Sequence, residues 1–371
     1  MPLIKLTPDQ VIYVVGERRK GRANGAIAAE LGVDSSTVSR AAKRMGVTPS
    51  RSSSVRGFEV PIQQALVDFA RTTIRPVAAR RGRRRRGGKY MLAAGLWDAH
   101  VGAYAWADEV GEDYDTDIAV RRVKSCVEAM IDEVAPYTIK KILMPVGNDI
   151  LHVDSARLTT GFGDHRLDVD TRFARVFAAA LHVSAYMVER FLDVCDDIEL
   201  LSVPGNHDVT SSYLLCVALQ QRYLNEPRVT VDVSPNPRKY RLHGGTLLGF
   251  THGCHMNVNN LSSAIAVETK ALWARSTYRE VQVGDKHQRW EKSFANVVPG
   301  GGILIRRVPA LCSADYWTYS QAFLGESSRV LEVYRYDEVG FRGSHVVYAP
   351  REPVHECAYF QKIAEKPRTR R

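Results

Sequence analysis

Residues 197–208 read DIELLSVPGNHD, and this stretch decides the fold. Ile198 to Val203 make an apolar run of strand length. Pro204-Gly205 breaks the run, and three polar side chains follow at once: Asn206, His207 and Asp208. The same grammar recurs along the chain. KYMLAAGLWD (89–98) ends on Asp98, with His100 two residues on. IKKILMPVGND (139–149) ends on Asn148-Asp149, with His152 three residues on. RKYRLHGGTLLGFTHG (238–253) holds two strands around Gly244-Gly245 and delivers His252, and REVQVGDKH (279–287) delivers Asp285 and His287. Strands that end this way place polar residues at the carboxyl edge of a sheet, where open α/β sheets build their sites.

Helical patterns separate these strands. Residues 117–135 read as one helix, and TRFARVFAAALHVSAYMVERFLDVC (171–195) as a long amphipathic one. ILIRRVPAL, RVLEVYRYD and SHVVYAP make the segment from about 303 to 350 β-like. The expected fold class is therefore α/β from residue 89 onward.

Each strand-end cluster is weak alone, and five in this order are a strong signal. Divalent ions take carboxylate, imidazole and amide-oxygen ligands. A pair of ions about 3.5–4 Å apart needs a bridging carboxylate with separate ligands on each side. The series resembles that of the calcineurin-like metallophosphoesterases: DxH, GDxxD or GDxxH, GNHD/E, a lone His, and GHxH. The resemblance covers roughly residues 90–300, and GNHD is its most specific element. The Asp149–His152 spacing is similar to that of repair nucleases of the SbcD type. The whole layout also resembles phosphoesterases of phages and prophages.

That resemblance implies a four-layer α/β/β/α sandwich over 89–350 and two divalent ions, Mn²⁺ first, with Fe, Zn or Mg as alternatives. It implies that Asp98, His100 and His287 hold the first ion, that Asp149 bridges, and that Asn206 and His252 hold the second. His207 then hydrogen-bonds the scissile phosphate and serves the leaving group, with Asp208 orienting it. His152 is a candidate for positioning substrate, or a hydrogen-bonding residue behind the ligands. The implied reaction is attack of a metal-bridging hydroxide on phosphorus.

The pattern departs from the family at two places. The second cluster reads GND, so Asn148 or Asp149 is the bridge; a bridge between two dications calls for the charged Asp149. GHxH reads GDKH, so Asp285 stands where a second-ion His is expected, and either Asp285 or His255 completes that site. Asp154, Asp168, Asp170 and Arg172 lie in a loop, with surface or capping roles expected ahead of phosphate binding. Trp273, Trp290, Tyr316 and Trp317 are expected to pack in a core, with base stacking as the alternative.

The first 48 residues read differently. Thr7-Pro8 starts a helix, and NGAIAAELG (24–32) puts Ile27, Ala28 and Leu31 on one face. Gly32 allows a tight turn, Val33 is an apolar plug, and Asp34-Ser35-Ser36 caps a third helix. This resembles the helix-turn-helix domains of small bacterial and phage DNA-binding proteins. Ser35, Ser36, Thr37, Ser39, Arg40, Lys43 and Arg44 are the polar residues of its recognition helix. A helical hairpin serving protein contacts is the alternative. Residues 49–88 read as a basic linker with Arg83, Arg84, Arg85 and Arg86, suited to phosphates or to solvated spacing. Residues 351–371 read as a tail.

Charge supports this division. Residues 1–89 carry 19 Lys or Arg against 6 Asp or Glu, and the remainder carries 32 against 35. The whole basic excess thus belongs to the first segment and points to a polyanion, DNA first. No apolar run of roughly 18 residues and no signal-peptide pattern is read, so no membrane partner is expected. Six scattered cysteines suggest reduced thiols in a cytoplasm, bacterial or of a phage-infected host cell. A homo-oligomer is compatible with the resemblance. The expected function is a metal-dependent phosphodiesterase, a DNA nuclease in first place. The alternatives are a phosphoesterase of another substrate class and a DNA-binding regulator with a degenerate catalytic domain.

Overall fold

Alternation of side chains along each central strand puts both sheet faces into apolar surroundings, and this organises the larger part of the molecule. The computed structural model describes residues 6–19, 22–44, 87–254, 256, 258–285, 290–294, 302–320 and 329–350. Contacts divide the chain into two units, Met1–Thr72 and Thr73–Arg371. The tail expected over 351–371, and the linker expected over 49–88 apart from Gly87 and Gly88, lie outside the described residues.

In the first unit, α1 (Pro8–Arg19), α2 (Asn24–Leu31) and α3 (Ser35–Arg44) enclose a small core of Val14, Ile27, Ala28, Val38 and Ala42. Leu31 and Val33 pack against it. Thr7 and Gln10 cap α1 reciprocally: the Gln10 N–H donates to Thr7 Oγ1 at 3.3 Å, and the Thr7 N–H to Gln10 Oε1 at 2.9 Å. Gly32 ends α2 at φ 61°, the left-handed region a side chain would disfavour. Asp34 caps α3 by accepting from the Thr37 N–H at 2.9 Å.

The second unit is mixed α/β with two mixed sheets. The strands are β1 (Tyr90–Ala93), β2 (Ile139–Gly147), β3 (Cys195–Val203), β4 (Val229–Asp232), β5 (Lys239–His243), β6 (Thr246–Thr251), β7 (Tyr278–Val283), β8 (Trp290–Phe294), β9 (Ile303–Arg307), β10 (Val330–Tyr336) and β11 (Phe341–Tyr348). Six form one sheet in the order β11-β10-β1-β2-β3-β4, and five the other in the order β5-β6-β7-β9-β8. β1 to β4 run parallel, as do β6, β7 and β9, and antiparallel strands close each sheet.

The helices are α4 (Ala107–Val110), α5 (Thr116–Val134), α6 (Phe173–Phe191), α7 (Val209–Arg222), α8 (Val258–Glu268), α9 (Lys270–Arg275) and α10 (Tyr316–Ser320). Leu92, Ile142, Met144, Ile198 and Leu200 share a core with Val127, Met130, Val183, Val188 and Leu215 of α5, α6 and α7. The opposite-facing Met91, Ala93, Leu143, Leu201 and Val203 pack with Leu248 and Phe250 of β6. Val281, Val283 and Ile305 of the second sheet meet Leu261 and Ile265 of α8. The period of two thus sends neighbouring residues into different cores. Burying a side chain such as Phe250 contributes roughly 1.5–3 kcal/mol.

One polar cluster also lies in this region. Glu280 of β7 accepts from Arg306 Nε at 2.7 Å and from the Tyr336 hydroxyl at 2.5 Å. Gln282 donates to that hydroxyl at 3.0 Å. Each buried polar group there has a partner, as its desolvation requires. Among the described residues, no helix is long and apolar enough to cross a membrane.

Candidate metal centre

The loops after β1, β2 and β3 are stitched edge to edge by their own backbone. The Asp98 N–H donates to Asn148 O at 2.9 Å, the His100 N–H to Asp149 O at 2.9 Å, and the Asn148 N–H to Val203 O at 2.8 Å. The Gly284 N–H donates to His252 O at 2.9 Å and links the loops after β6 and β7. This geometry carries strain. Asp98, His100, Asn148, Asp149 and Asp285 all stand at φ between 41° and 69°. Such backbone costs of order 1–3 kcal/mol per residue and gathers where side chains must be aimed.

Asp98, Asp149 and His252 place ligand atoms within 4.8 Å of one another. His252 Nε2 lies 3.0 Å from Asp149 Oδ2, 2.9 Å from Asn206 Oδ1 and 4.0 Å from Asp285 Oδ1. The Asp285 N–H donates to Asp98 Oδ2 at 3.3 Å. Six strand-end residues named from the sequence thus gather here, with His207 as the sixth: its N–H donates to Asp149 Oδ1 at 2.8 Å. Of the two candidates for the bridge, the Asp149 carboxylate is the one in the cluster. Asn148 is buried beside it, and its Oδ1 has no hydrogen-bond partner among the described residues.

Two glycines make room. A Cβ on Gly205 would sit 1.9 Å from Asp149 Oδ1, and one on Gly284 would sit 2.7 Å from Asp98 Oδ2. At Gly205 the Asp149 backbone N, 2.5 Å away, also blocks a side chain.

The charge of the cluster fits a cation. Asp98, Asp149 and Asp208 are all buried to within 2% of completely. Burial pushes the Asp208 carboxyl well above the usual range, and the nearby Asp149 charge adds to this. Burial alone would raise Asp149 too, but facing His252 and His207 hold it well below the usual range. Burial lowers His252, yet the charge of Asp149 outweighs it and pushes the imidazole up to about 9. Buried carboxylates in this number call for positive charge. His252 Nδ1 is likewise buried with no hydrogen-bond partner among the described residues. Two carboxylates, an imidazole and an amide oxygen suit Mn²⁺, Fe²⁺, Zn²⁺ or Mg²⁺, so the residues present fit a divalent ion.

A second group stands beside the first. His100, His152 and His207 also bring ligand atoms within 4.8 Å. His100 Nδ1 lies 3.1 Å from His152 Nδ1, and the His152 and His207 rings stack at 5.2 Å. Burial, reinforced by the His207 charge, lowers the His152 imidazole to about 3. His207 Nδ1 lies 2.9 Å from His152 O. A carbonyl only accepts, so Nδ1 carries a proton there, and Nε2 is the nitrogen that faces any further partner.

Three expectations change. Asp208 does not meet the His207 ring: its carboxylate accepts from the backbone N–H groups of Asp149, Leu151 and Gly205, and the His152 carbonyl does the orienting. The reason is local, since a buried carboxylate beside three unpaired amides satisfies them first. Thr37 is buried, and its hydroxyl donates to Asp34 Oδ2 at 2.8 Å, so it serves the cap of α3 rather than an outer face. Ser36 and Arg40 are exposed, as a contact surface requires. Tyr316, expected in a core, is 57% exposed. Trp273 packs against the α8 cluster with Arg279 over its ring at 4.4 Å. His287, His255 and Arg83 to Arg86 lie outside the described residues, as do the side chains of Lys43, Arg44, Trp290 and Trp317.

Of the four loop residues, Asp154 and Asp170 are caps, and the Arg172 side chain makes no cap bond. Asp154 accepts from the N–H groups of Thr210 and Ser211 at the start of α7, and Asp170 from the Thr116 N–H at the start of α5. Sequence reading passed over Arg122, which donates to Ser313 Oγ at 2.8 Å and pairs with Glu112. Its one signal is an Arg on the apolar face of a helix.

No protein-family model matches the chain, and no curated protein does. Among solved structures it is similar to one described as GAP50, the anchor in the inner membrane complex of Plasmodium, at 10% identity over 74% of this chain and 94% of that one. The TM-score is 0.31, a likeness that carries no argument.

Proposed function

We propose that this chain is a metal-dependent phosphodiesterase whose substrate is a polynucleotide, DNA in first place. The observation that carries the reading is the convergence of Asp98, Asp149, Asn206, His252 and Asp285 from the loops after β1, β2, β3, β6 and β7. The layering of helices, sheet, sheet and helices supports a four-layer sandwich of the metallophosphoesterase type. Bound there, divalent ions supply an acidified water and neutralise the non-bridging phosphate oxygens.

The chain's own residues do the rest. Asp149 offers one oxygen to the His207 N–H and the other to His252, which suits a carboxylate placed between two ligand groups. Asp285 lies with the cluster at the position where the motif expects His, and it supplies a carboxylate in place of an imidazole. His100 engages His152 through Nδ1 and keeps Nε2 for an ion. His207, with Nδ1 held by a carbonyl, turns Nε2 to the phosphate and its leaving group.

The first unit supports a nucleic-acid substrate. Its three helices, the Gly32 turn and the exposed Ser36 and Arg40 read as a helix-turn-helix, and the basic excess of residues 1–89 reads as its electrostatic footprint.

The test is hydrolysis of bis-p-nitrophenyl phosphate and labelled DNA by purified protein with Mn²⁺, with chelator, and with Asp149→Asn. Metal-dependent cleavage of both substrates, lost in the variant, is expected. Tight DNA binding with no turnover under any metal would replace this reading with that of a DNA-binding regulator.

A further inference from the structure

Exposed aromatic rings are unevenly placed in the second unit. Among its described residues the strongly exposed ones are Tyr104, Trp106, Phe162, Tyr316, Tyr319 and Tyr348. All but Tyr348 lie on three segments anchored to the metal-centre loops. Residues 101–110 continue directly from His100, and the Tyr104 N–H donates to Asp168 O at 3.3 Å. In the 158–165 loop the Gly161 and Phe162 N–H groups donate to His207 O at 3.3 Å and Asn206 O at 2.9 Å. In the 311–320 segment the Leu311 and Cys312 N–H groups donate to Trp97 O at 3.0 Å and Asp98 O at 3.1 Å.

Two of these segments also meet one another. α10, which carries Tyr316 and Tyr319, contacts α4, which Trp106 precedes. Asp315, at the start of α10, lies near enough to bias the His152 imidazole. The five rings are between 43% and 57% exposed.

The chemistry of these segments narrows what could cover the rings. Residues 101–110 and 311–320 contain no Lys or Arg, and exposed Arg157 and Arg166 flank the loop that carries Phe162. A duplex hides its base faces and so would gain little from exposed rings, and a phosphoprotein carries no base to stack on them. An unpaired nucleotide exposes a base whose π-face stacks on an aromatic ring whatever its identity. The segments hold exposed rings beside acidic groups, not the continuous aliphatic face a membrane selects.

We infer that Trp106, Phe162 and Tyr316 form a base-stacking rim, and that the phosphodiester cleaved at the metal centre belongs to unpaired nucleotides: a single strand or a frayed end. The inference rests on the phosphodiesterase reading and adds the substrate class to it. The basic first unit then serves to hold nucleic acid, while the rim selects the unpaired part.

The test uses the full chain with Mn²⁺ and two substrates, a single-stranded tetranucleotide and bis-p-nitrophenyl phosphate. Trp106→Ala and Tyr316→Ala each replace an exposed ring, so the fold should survive. Each is expected to lower kcat/KM on the tetranucleotide roughly 5- to 100-fold, as the loss of one stacked base implies, with the small diester changed less than about twofold. Cleavage of a blunt duplex should be slower than that of the single strand. Equal losses on both substrates, or no loss on either, would overturn the rim while leaving the phosphodiesterase reading intact. If the small diester is not turned over at all, that reading fails instead. The rim is then read from tetranucleotide quenching of tryptophan fluorescence in chelator. Quenching lost in Trp106→Ala supports it, and quenching unchanged in both variants overturns it.

Discussion

On one side of the centre Asp98 and Asp149 face His252; on the other His100 and His152 face His207. Both groups take two residues from the loops after β1 and β2, the third coming from the loop after β6 or β3, and both are largely buried, yet their charge balance differs. The carboxylate side holds more negative charge than His252 can offset, and that imidazole is pushed up to about 9. The imidazole side holds no acid, and burial lowers His152 to about 3. One side therefore suits cations through its carboxylates, and the other offers ring nitrogens with no carboxylate among them.

The largest test of this contrast separates ion binding from turnover. Asp98→Asn should lower both the bound-metal count and the hydrolysis rate, the rate by roughly a thousandfold, because several kcal/mol of charge stabilisation leave with the ion. His207→Gln should lower the rate by about 10²- to 10⁴-fold while the metal count by elemental analysis stays that of the parent. A His207→Gln protein that keeps its rate removes the imidazole side from the chemistry.

Asp208 stands behind both sides. Asp208→Ala leaves the Asp149, Leu151 and Gly205 amides without their acceptor, which should cost about 2–4 kcal/mol. The urea midpoint would read that loss. A midpoint equal to the parent's, with slower turnover, would instead return Asp208 to a role on the His207 ring.

The two sides should also differ in pH response once metal is removed. His252 is raised in the folded state, so its contribution to stability is complete below about 6.5 and is lost as pH climbs through about 9. His152 is lowered, so the unfolded chain binds the extra proton, and stability declines as pH drops from about 6.5 toward 3. On these two imidazoles, metal-free stability falls on either side of about pH 6.5. In thermal melts across this range, His252→Gln should flatten the alkaline limb only. An unchanged alkaline limb would deny the Asp149–His252 pairing its energetic role.

The smallest effects are expected in the three-helix unit, where Arg40 is exposed and Thr37 caps. Arg40→Ala should reduce the salt dependence of DNA binding by about one counterion. Thr37→Ala should leave that slope alone and cost about 1 kcal/mol of stability. The reverse pattern would turn Thr37 outward.

Local chemistry made much of this legible beforehand. A strand alternating in Ile198, Leu200, Leu201 and Val203 and stopped by Pro204-Gly205 must end in a turn, and GNHD then hands three polar groups to that turn. The Thr7 cap, the Gly32 turn and the apolar stripe of Ile27 and Ala28 are read from neighbours within four residues. Such features depend on short-range sterics and hydrogen bonds, which the order of residues determines.

Other features depend on contacts between residues far apart in the chain. Only the pairing of β6 with β7 and the packing of Phe250 beside Leu201 and Val203 bring His252 to Asp149, over a hundred residues away in sequence. Only the stitched loops tell Asp208 to satisfy three amides instead of a ring, and turn His100 toward His152. The aromatic segments are likewise remote in sequence and meet only through the loops that hold them. The sequence by itself determined which groups stand at the ends of which strands. Tertiary structure decided which of them face each other, because burial and hydrogen-bond satisfaction are settled by neighbours that the chain's local order does not name.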